Sequence, residues 1–315
     1  MEKGAERARP KPLRLAVAPE ADEAVVELVH QADAVVVDLA DAQALAWTAW
    51  TDLASFPRSL PASVAWVQLP SAGIERWVEA GIIDRARVWT SAAGVCAVPV
   101  AEHALTLLLT GVRLLPESLR AAEWARTDLL PRAGTLGGTV VGIVGGGGIA
   151  RALIPALTAL GAEARVVNRS GRPVPGAAET RPIAGIGDFW EAVDHVVLAA
   201  PDTPDTRHLV GAAELDAMKP TAWLINVARG PIVDTEALLG ALDSAGIAGA
   251  GLDVTDPEPL PAAHPLWGHP RAIVTPHIAD AAMTRRGFRQ RLADNVRRWT
   301  AGEELIGVVD PARGY

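Results

Sequence analysis

The amino-acid sequence predicts a parallel α/β protein of two units, with the second unit inserted into the first. Apolar runs typical of buried strands alternate with helical patterns before about residue 98, and again more regularly after it. These runs are continuous, which is expected of strands that helices cover on both faces. A glycine-rich turn near the start of the second series joins a strand to a helix, as in nucleotide-binding α/β domains.

Four strands are predicted in the first series, and they are separated by helical stretches such as residues 20–30. The predicted strands are Leu13–Ala18, Ala34–Val37, Val64–Gln68 and Val88–Thr90. Residues 1–12 carry alternating charges and two prolines, a composition that predicts a disordered tail.

A long helical stretch from Val98 leads into the second series, whose helical patterns include residues 149–160 and 234–245. Its predicted strands are Thr139–Val144, Arg165–Asn168, His195–Ala199, Ala222–Val227, Ala248–Val254 and Ala272–Thr275. The last stretch, residues 284–300, predicts a helix with Leu292, Val296 and Trp299 on one side. We expect one domain to comprise residues 1–97 with 283–315, and the inserted domain to comprise residues 98–282.

The charge and cysteine content exclude several classes of protein. A net charge of −8 argues against binding to nucleic acid or to an anionic membrane, because both favour a basic surface. A single cysteine, Cys96, excludes an intramolecular disulfide framework and a cysteine-rich metal site, and we predict no metal site. We expect a cytoplasmic protein, because no signal peptide is evident and no window reaches the ~20 apolar residues of a membrane helix.

The glycine-rich turn predicts a dinucleotide site. Gly145, Gly147 and Ala150 match the pattern G-x-G-x-x-G/A between an apolar strand and a helix. The first glycine permits a tight turn, the second lets a pyrophosphate approach the backbone, and the third small residue lets helix and strand pack closely. Gly148 and Ile149 lie at the junction of the turn with the helix, whose N–H groups would receive the phosphate charge. Four successive glycines also occur in flexible loops, which is the alternative reading.

The choice of cofactor is predicted at the end of the following strand. NAD-binding domains usually have a carboxylate there, ~20 residues past the turn, for the ribose 2′-hydroxyl. This chain has Asn168, Arg169 and Ser170 instead. Arg169 can pair with a 2′-phosphate, and the other two side chains can hydrogen-bond to it. We therefore expect NADP(H) rather than NAD(H), unless this is a solvated loop with a chance arginine.

Three segments each place one ionisable group just after a predicted strand. Arg229 follows Ile225-Asn226-Val227-Ala228, Glu258 lies in Asp256-Pro257-Glu258-Pro259, and His277 follows Thr275-Pro276. A cation, a carboxylate and an imidazole suit the handling of a small anionic carbonyl compound. In isolation each has a simpler explanation: a surface cation, a solvated turn residue, and a histidine that ends a strand.

In combination and in order, these residues resemble the D-isomer-specific 2-hydroxyacid dehydrogenase family. The resemblance covers nearly the whole chain. It includes residues 66–73, 100–103 and 202–207, and Met218-Lys219-Pro220. It implies two Rossmann/flavodoxin-like domains, with the nucleotide-binding domain inserted into a discontinuous substrate domain. It also implies an active site between them, dimerisation through the nucleotide domain, and reduction of a 2-oxo acid to a D-2-hydroxy acid or the reverse.

The resemblance also implies roles for individual residues. His277 would be the general acid, Glu258 would hold its other ring nitrogen, and Arg229 would bind the substrate carboxylate and polarise the carbonyl group. Asp253 would meet the nicotinamide carboxamide. The other residues implied in substrate binding are Ser71, Ala72 and Gly73, and those implied in nucleotide binding are Pro201, Thr206, Val227 and Ala228.

Two sister activities are disfavoured. A formate dehydrogenase would have glutamine in place of Glu258, and a phosphite dehydrogenase would have lysine in place of Ala72. NADPH-preferring glyoxylate/hydroxypyruvate reductases resemble the 168–170 segment most. The alternative is a nucleotide-sensing corepressor-like binding module of the same fold without significant turnover. The remaining histidines are interpreted as structural or surface residues; they are His30, His103, His195, His208, His264 and His269.

Overall fold

The computed structural model describes residues 12–50, 52–280 and 283–310, with the backbone alone at residues 283 and 284. The chain divides into two compact units, Met1–Val95 with Ala282–Tyr315, and Cys96–Ala281. The domain boundaries expected from the sequence lie within two residues of this division. Of the tail expected at residues 1–12, all but the last residue lies outside the described part of the chain.

The first unit contains a five-stranded parallel sheet in the order β2-β1-β3-β4-β5. Its strands are β1 (Leu13–Ala18), β2 (Ala34–Val36), β3 (Ala44–Trp47), β4 (Trp66–Gln68) and β5 (Val88–Thr90). Two helices of this unit, α1 (Glu23–Gln31) and α2 (Glu75–Glu79), lie between strands in the chain. The Asp22 side chain caps α1 by accepting a hydrogen bond of 2.7 Å from the N–H of Val25, as is typical of an N-cap aspartate.

Aromatic side chains form much of the core on one side of this sheet. Trp47, Trp77 and Trp89 surround Phe56, with ring centroids 4.9, 5.5 and 6.1 Å from that of Phe56. All three indoles are almost fully buried. Large aromatic rings bury more apolar surface per residue than any other side chains, which lets a small five-stranded unit form a dense core.

The second unit contains a seven-stranded parallel sheet in the order β12-β11-β10-β9-β6-β7-β8. Its strands are β6 (Val140–Val144), β7 (Glu163–Asn168), β8 (Glu179–Pro182), β9 (His195–Leu198), β10 (Trp223–Asn226), β11 (Gly249–Leu252) and β12 (Ala272–Val274). The chain proceeds outwards in one direction from β6 to β8 and then in the other from β9 to β12. In open parallel sheets, ligands bind at the carboxyl ends of the strands where the order reverses.

Helices cover both faces of the second sheet. The helices of this unit are α3 (Ala97–Val112), α4 (Leu115–Arg120), α5 (Arg126–Leu129), α6 (Gly148–Ala159), α7 (Phe189–Ala192), α8 (Ala212–Ala217) and α9 (Thr235–Asp243). Of these, α3 and α6 contribute buried side chains to one core cluster, and α7, α8 and α9 contribute to the other. Helix α3 packs against α6, β10 and β11 through the apolar cluster that includes Leu107 and Leu108. The continuous apolar strands predicted from the sequence are therefore buried on both faces.

The last helix, α10 (Met283–Ala301), belongs to the first unit. It packs against α1, with Leu292 and Val296 in the same core cluster as Val25 and Val29. The indole of Trp299 stacks on that of Trp66, with ring centroids 5.7 Å apart. The three residues predicted to share one side of this helix therefore lie together on its packed face.

Each predicted strand lies within two residues of its observed bounds, but two strands have no predicted counterpart. Strand β3 is the central strand of its sheet and is completely buried. Its sequence, Ala-Leu-Ala-Trp, favours helix as much as strand, so pairing with both neighbours decides its structure. Strand β8 is a polar edge strand with no apolar run to mark it.

Among the helices of residues 12–50, 52–280 and 283–310, none is long and apolar enough to cross a membrane.

Candidate active site

The three ionisable residues predicted to act together all follow strands of the second sheet at its carboxyl edge. Arg229 lies three residues beyond β10, Glu258 lies six beyond β11, and His277 lies three beyond β12. These three strands are neighbours in the sheet and run parallel. Their carboxyl ends therefore share one edge, and the side chains that follow them converge there.

His277 and Glu258 form a hydrogen-bonded pair, with 2.6 Å between Nδ1 of the histidine and Oε1 of the glutamate. The hydrogen bond to Glu258 raises the pKa of His277, while burial opposes the shift. The same bond lowers the pKa of Glu258. Because Nδ1 is held by the glutamate, Nε2 is the ring nitrogen left to exchange a proton with a ligand. His277 therefore stays protonated to higher pH, and Glu258 stays ionised to lower pH, than either group would without the other.

Arg229 contributes a second positive charge to this edge. Its charge helps to lower the pKa of Glu258 and opposes protonation of His277. Nη1 donates a hydrogen bond of 2.6 Å to the carbonyl oxygen of Ala228. The buried Asn226 fixes the turn, since its amide donates to the Arg229 carbonyl oxygen at 2.9 Å and accepts from the Ala228 N–H at 3.0 Å. Asn226 is thus a site residue that the sequence pattern alone does not distinguish from a strand residue.

Gly230 brings the Arg229 and Glu258 segments together. A Cβ at this position would lie 1.9 Å from the carbonyl oxygen of Thr255 and 2.7 Å from the nitrogen of Asp256. Two backbones cross at van der Waals contact here, which only glycine permits. The glycine that follows the arginine is therefore a geometric requirement of the site.

Asp253 is buried and is bonded to the protein through both of its carboxylate oxygens. Oδ1 accepts hydrogen bonds from the Thr275 hydroxyl at 2.6 Å and from the Ile278 N–H at 3.0 Å, and Oδ2 accepts from the Ala279 N–H at 2.9 Å. The structure thus places Asp253 beneath the His277 segment. The contact with the nicotinamide carboxamide that the resemblance implied stays a prediction.

The glycine-rich turn follows β6, at the position where the strand order reverses. Gly145 has φ of +115°, and a Cβ there would lie 2.4 Å from the carbonyl oxygen of Ala199. Gly147 is the N-cap of α6, and a Cβ there would meet no protein atom within 4 Å. Gly148 and Ile149 follow in the first turn, where the N–H groups have no partner within the helix. An open approach to a helix N-terminus fits a pyrophosphate.

Asn168, at the end of β7, organises the loop that follows it. Its Oδ1 accepts hydrogen bonds from the N–H groups of Ser170 at 3.1 Å and Gly171 at 2.7 Å, and its amide donates to the Arg172 carbonyl oxygen at 2.8 Å. Arg169 and Ser170 are exposed at the tip of this loop. Asn168 therefore shapes the loop, and the exposed pair is better placed than Asn168 to meet a phosphate.

The loop after β9 is held by the buried Thr206. Its hydroxyl donates to the Pro201 carbonyl oxygen at 2.6 Å and accepts from the Thr203 N–H at 2.8 Å. Oδ2 of Asp202 pairs with Arg207 at 2.8 Å, while Oδ1 is buried and meets no hydrogen-bond partner in the part of the chain that the structure describes.

The remaining predicted nucleotide residues, Val227 and Ala228, are buried between β10 and Arg229. Within the described ranges, no group of three or more histidine, cysteine, aspartate or glutamate residues could hold a metal ion.

The loop at residues 71–73, in the first unit, is held by hydrogen bonds within that unit. The Ser71 hydroxyl donates to the Gly73 carbonyl oxygen at 2.7 Å and accepts from the Trp77 indole N–H at 3.2 Å. The Ala92 N–H donates to the Ser71 carbonyl oxygen at 2.9 Å. Ser71 is thus a loop-fixing residue, while Ala72 is exposed at its tip.

A doubly wound sheet, a glycine turn at its switch point and a histidine–carboxylate pair at the same edge define a nucleotide-dependent oxidoreductase domain. The family model "D-isomer specific 2-hydroxyacid dehydrogenase, NAD binding domain" matches residues 103–279, and the chain belongs to this family. The predicted fold class and family are confirmed. The chain is an NAD(P)-dependent D-2-hydroxyacid dehydrogenase.

Individual relatives show how far the sequence similarity extends along the chain. The chain is 38% identical over 263 residues to the "Uncharacterized protein in proB 3′ region" of Corynebacterium melassecola, covering 82% of this chain and 86% of that one. It is 30% identical over 264 residues to glyoxylate/hydroxypyruvate reductase A of Serratia proteamaculans, covering 83% and 76%.

A solved structure extends the similarity to both units. A D-isomer specific 2-hydroxyacid dehydrogenase from Xanthobacter autotrophicus Py2, crystallised with NADPH and MES, superposes with a TM-score of 0.82. It is 28% identical, and the match covers 96% of this chain and 100% of that one.

Replacement of Glu258 by Gln should lower the pKa of the His277 ring towards the ordinary histidine value, because the neutral amide does not stabilise the imidazolium. NMR titration of the histidine ring protons measures this directly, without substrate. Glu236→Gln, on helix α9, is the matched control and should leave the His277 titration unchanged. An unaltered His277 pKa in the Glu258 variant would contradict the pairing.

Proposed function

We propose that this dehydrogenase reduces small 2-oxo acids to 2-hydroxy acids with NADPH, giving the D form where the product is chiral, and that glyoxylate and hydroxypyruvate are its substrates. The observation that carries the proposal is the His277–Glu258 hydrogen bond of 2.6 Å, with the histidine pKa raised, at the same sheet edge as Arg229 and the glycine turn. The name of the Serratia relative, glyoxylate/hydroxypyruvate reductase A, supports the choice of substrate.

His277 acts as the general acid in this proposal. NADPH, when bound, supplies the hydride to the carbonyl carbon. Negative charge then develops on the carbonyl oxygen, and the His277 Nε2–H donates the proton that neutralises it. Glu258 holds Nδ1, which fixes the ring orientation and raises the pKa of His277, so that the imidazolium form persists to higher pH. In the reverse direction the neutral imidazole accepts the hydroxyl proton at the same nitrogen.

Arg229 binds the anionic part of the substrate. Its guanidinium group offers paired N–H donors to a carboxylate and can polarise the adjacent carbonyl group through a charge-assisted hydrogen bond. We also propose that the N–H groups of Ala72 and Gly73 bind the substrate carboxylate. Neither residue brings a side chain that would crowd a small 2-oxo acid.

NADPH is the proposed cofactor because the loop after β7 has an exposed arginine and serine in place of a carboxylate. The hydrogen bonds of Asn168 fold that loop, so Arg169 and Ser170 are presented together at its tip. A 2′-phosphate would meet a cation there rather than the like charge of an aspartate. The NADPH complex of the Xanthobacter relative supports this choice.

We further propose a homodimer that forms through the α4–α5 region. Large apolar side chains lie on this surface, with Leu119 84% and Trp124 86% exposed and with Leu115 and Leu130 near half exposed. Four large, exposed apolar side chains within sixteen residues of the chain favour an interaction site over a solvated surface. The single cysteine supports a reducing compartment, and we propose the cytoplasm.

The proposed function is tested by NAD(P)H oxidation with a panel of 2-oxo acids: glyoxylate, hydroxypyruvate, pyruvate, phenylpyruvate and a branched-chain acid. We expect turnover with glyoxylate and hydroxypyruvate, the substrates in the name of the Serratia relative. Arg229 and His277 would address the carboxylate and carbonyl groups that all members share, so turnover only with the other acids would refute the choice of substrates and not the roles of these two residues. Tight NADPH binding without oxidation on any acid of the panel would instead favour a nucleotide-sensing binding module.

His277→Ala should reduce kcat by at least about 100-fold, since general acid catalysis typically contributes that factor or more. The Kd of NADPH, measured by nicotinamide fluorescence, should stay within a few-fold of the parent value. His30→Ala, on the exposed face of α1, is the control and should retain full activity. Survival of activity in the His277 variant would refute the general acid assignment.

Arg169→Ala should lower kcat/KM for NADPH by about 10- to 100-fold, the range expected for losing a hydrogen bond between charged groups. The kcat/KM for NADH should change little, because NADH lacks the 2′-phosphate. Arg271→Ala, an exposed cation at the opposite end of the sheet, is the matched control. Equal losses with both cofactors would show that Arg169 does not select between them.

Trp124→Asp combined with Leu119→Asp should convert a dimer to a monomer in size-exclusion chromatography with light scattering, because the charges would be buried unpaired in the interface. Trp267→Ser removes a half-exposed apolar ring elsewhere in the same unit and should leave the mass unchanged. A parent chain that is already monomeric would rule out the proposed homodimer.

A further inference from the structure

His103 lies on α3 and is hydrogen-bonded to the segment that carries His277, the histidine of the trio Arg229, Glu258 and His277. Its Nε2 lies 2.9 Å from the Thr275 hydroxyl oxygen and 3.3 Å from Oδ1 of Asp253. The His103 side chain is mostly buried and that of Asp253 is almost fully buried. The sequence predicted only a structural histidine at this position.

The direction of these hydrogen bonds follows from counting protons. Thr275 has one hydroxyl proton, and the distance of 2.6 Å to Oδ1 of Asp253 assigns it to that bond, because the carboxylate has no proton to give. The hydroxyl oxygen must then accept from His103, so Nε2 of His103 carries a proton. A directed chain therefore runs from the His103 N–H through the Thr275 hydroxyl to Asp253.

Asp253 is the end of that chain of hydrogen bonds, and it also holds the backbone of residues 277–279. Its carbonyl oxygen accepts from the His277 N–H at 2.8 Å, and its carboxylate accepts from the N–H groups of Ile278 and Ala279. His277 has φ of +51°, a left-handed conformation that non-glycine residues rarely adopt. Three consecutive N–H groups bonded to one buried residue maintain that conformation.

We propose that His103 is a positioning residue, which acts through Thr275 and Asp253 to hold His277 in the orientation that meets Glu258. This inference rests on the proposed function only in taking His277 as the general acid. His103 itself touches no reacting group. Its proton keeps the Thr275 hydroxyl directed at Asp253, and Asp253 in turn fixes the backbone from residue 277 to residue 279.

The test compares His103→Leu, which removes the donor, with His103→Gln, whose amide can place an N–H where Nε2 lies. His103→Leu should lower kcat by about 10- to 100-fold, the loss that a misplacement near 1 Å can cause, while the Kd of NADPH changes less than about twofold. His103→Gln should recover most of the lost kcat. Thr275→Val provides the same test if His103→Leu does not fold.

His195→Leu is the matched control for a purely structural effect. His195 is a buried histidine of the same unit, and its Nδ1 accepts a hydrogen bond of 3.2 Å from the Trp223 N–H at the amino ends of the strands. Its loss should lower the thermal unfolding temperature without lowering kcat at temperatures well below that transition. A kcat in His103→Leu no lower than that in His195→Leu would overturn the proposal.

The pH profile of kcat/KM gives a second measurement, which should not change if His103 has only a structural role. The groups that act on the charge of the His277 ring are Glu258, Arg229 and Asp253. If the ring swings away from Glu258 in His103→Leu, the alkaline limb of kcat/KM should move to lower pH, because the imidazolium loses its main stabilising bond. His103→Gln and His195→Leu should keep the parent profile.

NMR of the chain with ¹⁵N-labelled histidine separates this inference from the proposed function, because it needs no turnover. The Nδ1 signal of His277 reports its hydrogen bond to Glu258, and only seven histidines contribute to the spectrum. We expect that signal to shift in His103→Leu and to return in His103→Gln. An unshifted signal, or no recovery with glutamine, would refute the positioning role even if no 2-oxo acid were reduced.

Discussion

The geometry of the acid–base site depends on the satisfaction of one buried carboxylate. Asp253 lies just beyond β11 and is buried. A buried carboxylate without partners would destabilise the fold by several kcal/mol or more. The chain after β12 folds over it and provides N–H groups and a hydroxyl group. The left-handed backbone at His277 is a consequence of that fold, and the imidazole is thereby presented to Glu258.

Close contacts between backbone segments fix the positions of the other parts of the site, as the hydrogen bonds to Asp253 fix the position of His277. Gly145 lies against the backbone at Ala199, and Gly230 lies against that of Thr255, at distances that no Cβ could occupy. The first contact shapes the glycine-rich turn after β6, and the second joins the arginine and glutamate segments. Both positions thus require glycine because a Cβ would collide with the neighbouring backbone, and not because the chain must be flexible there. Parallel strands deliver the functional residues to one edge, and these contacts set their final spacing.

Competing charges set the protonation state of the site. Glu258 favours the imidazolium form of His277, whereas Arg229 and burial oppose it, and the hydrogen bond to the glutamate outweighs both. Arg229 also helps to lower the pKa of Glu258, because its positive charge stabilises the carboxylate. A site with one more positive than negative group in the trio suits an anionic substrate, because binding a carboxylate balances the charge.

The sequence by itself determined the fold class and the family, and it singled out the three ionisable residues that the structure brings to one edge of the sheet. Each of these depends on local order along the chain: an apolar run, then a glycine or a charged residue at the point where a strand ends. Strand β3 escaped this reasoning, because Ala-Leu-Ala-Trp becomes a strand only through pairing with β1 and β4. Only the tertiary structure showed that Asp253, Asn168 and Asn226 form hydrogen bonds that hold loops in place. The contact between His103 and Thr275 joins residues 172 positions apart, and no local pattern encodes a partner at that distance.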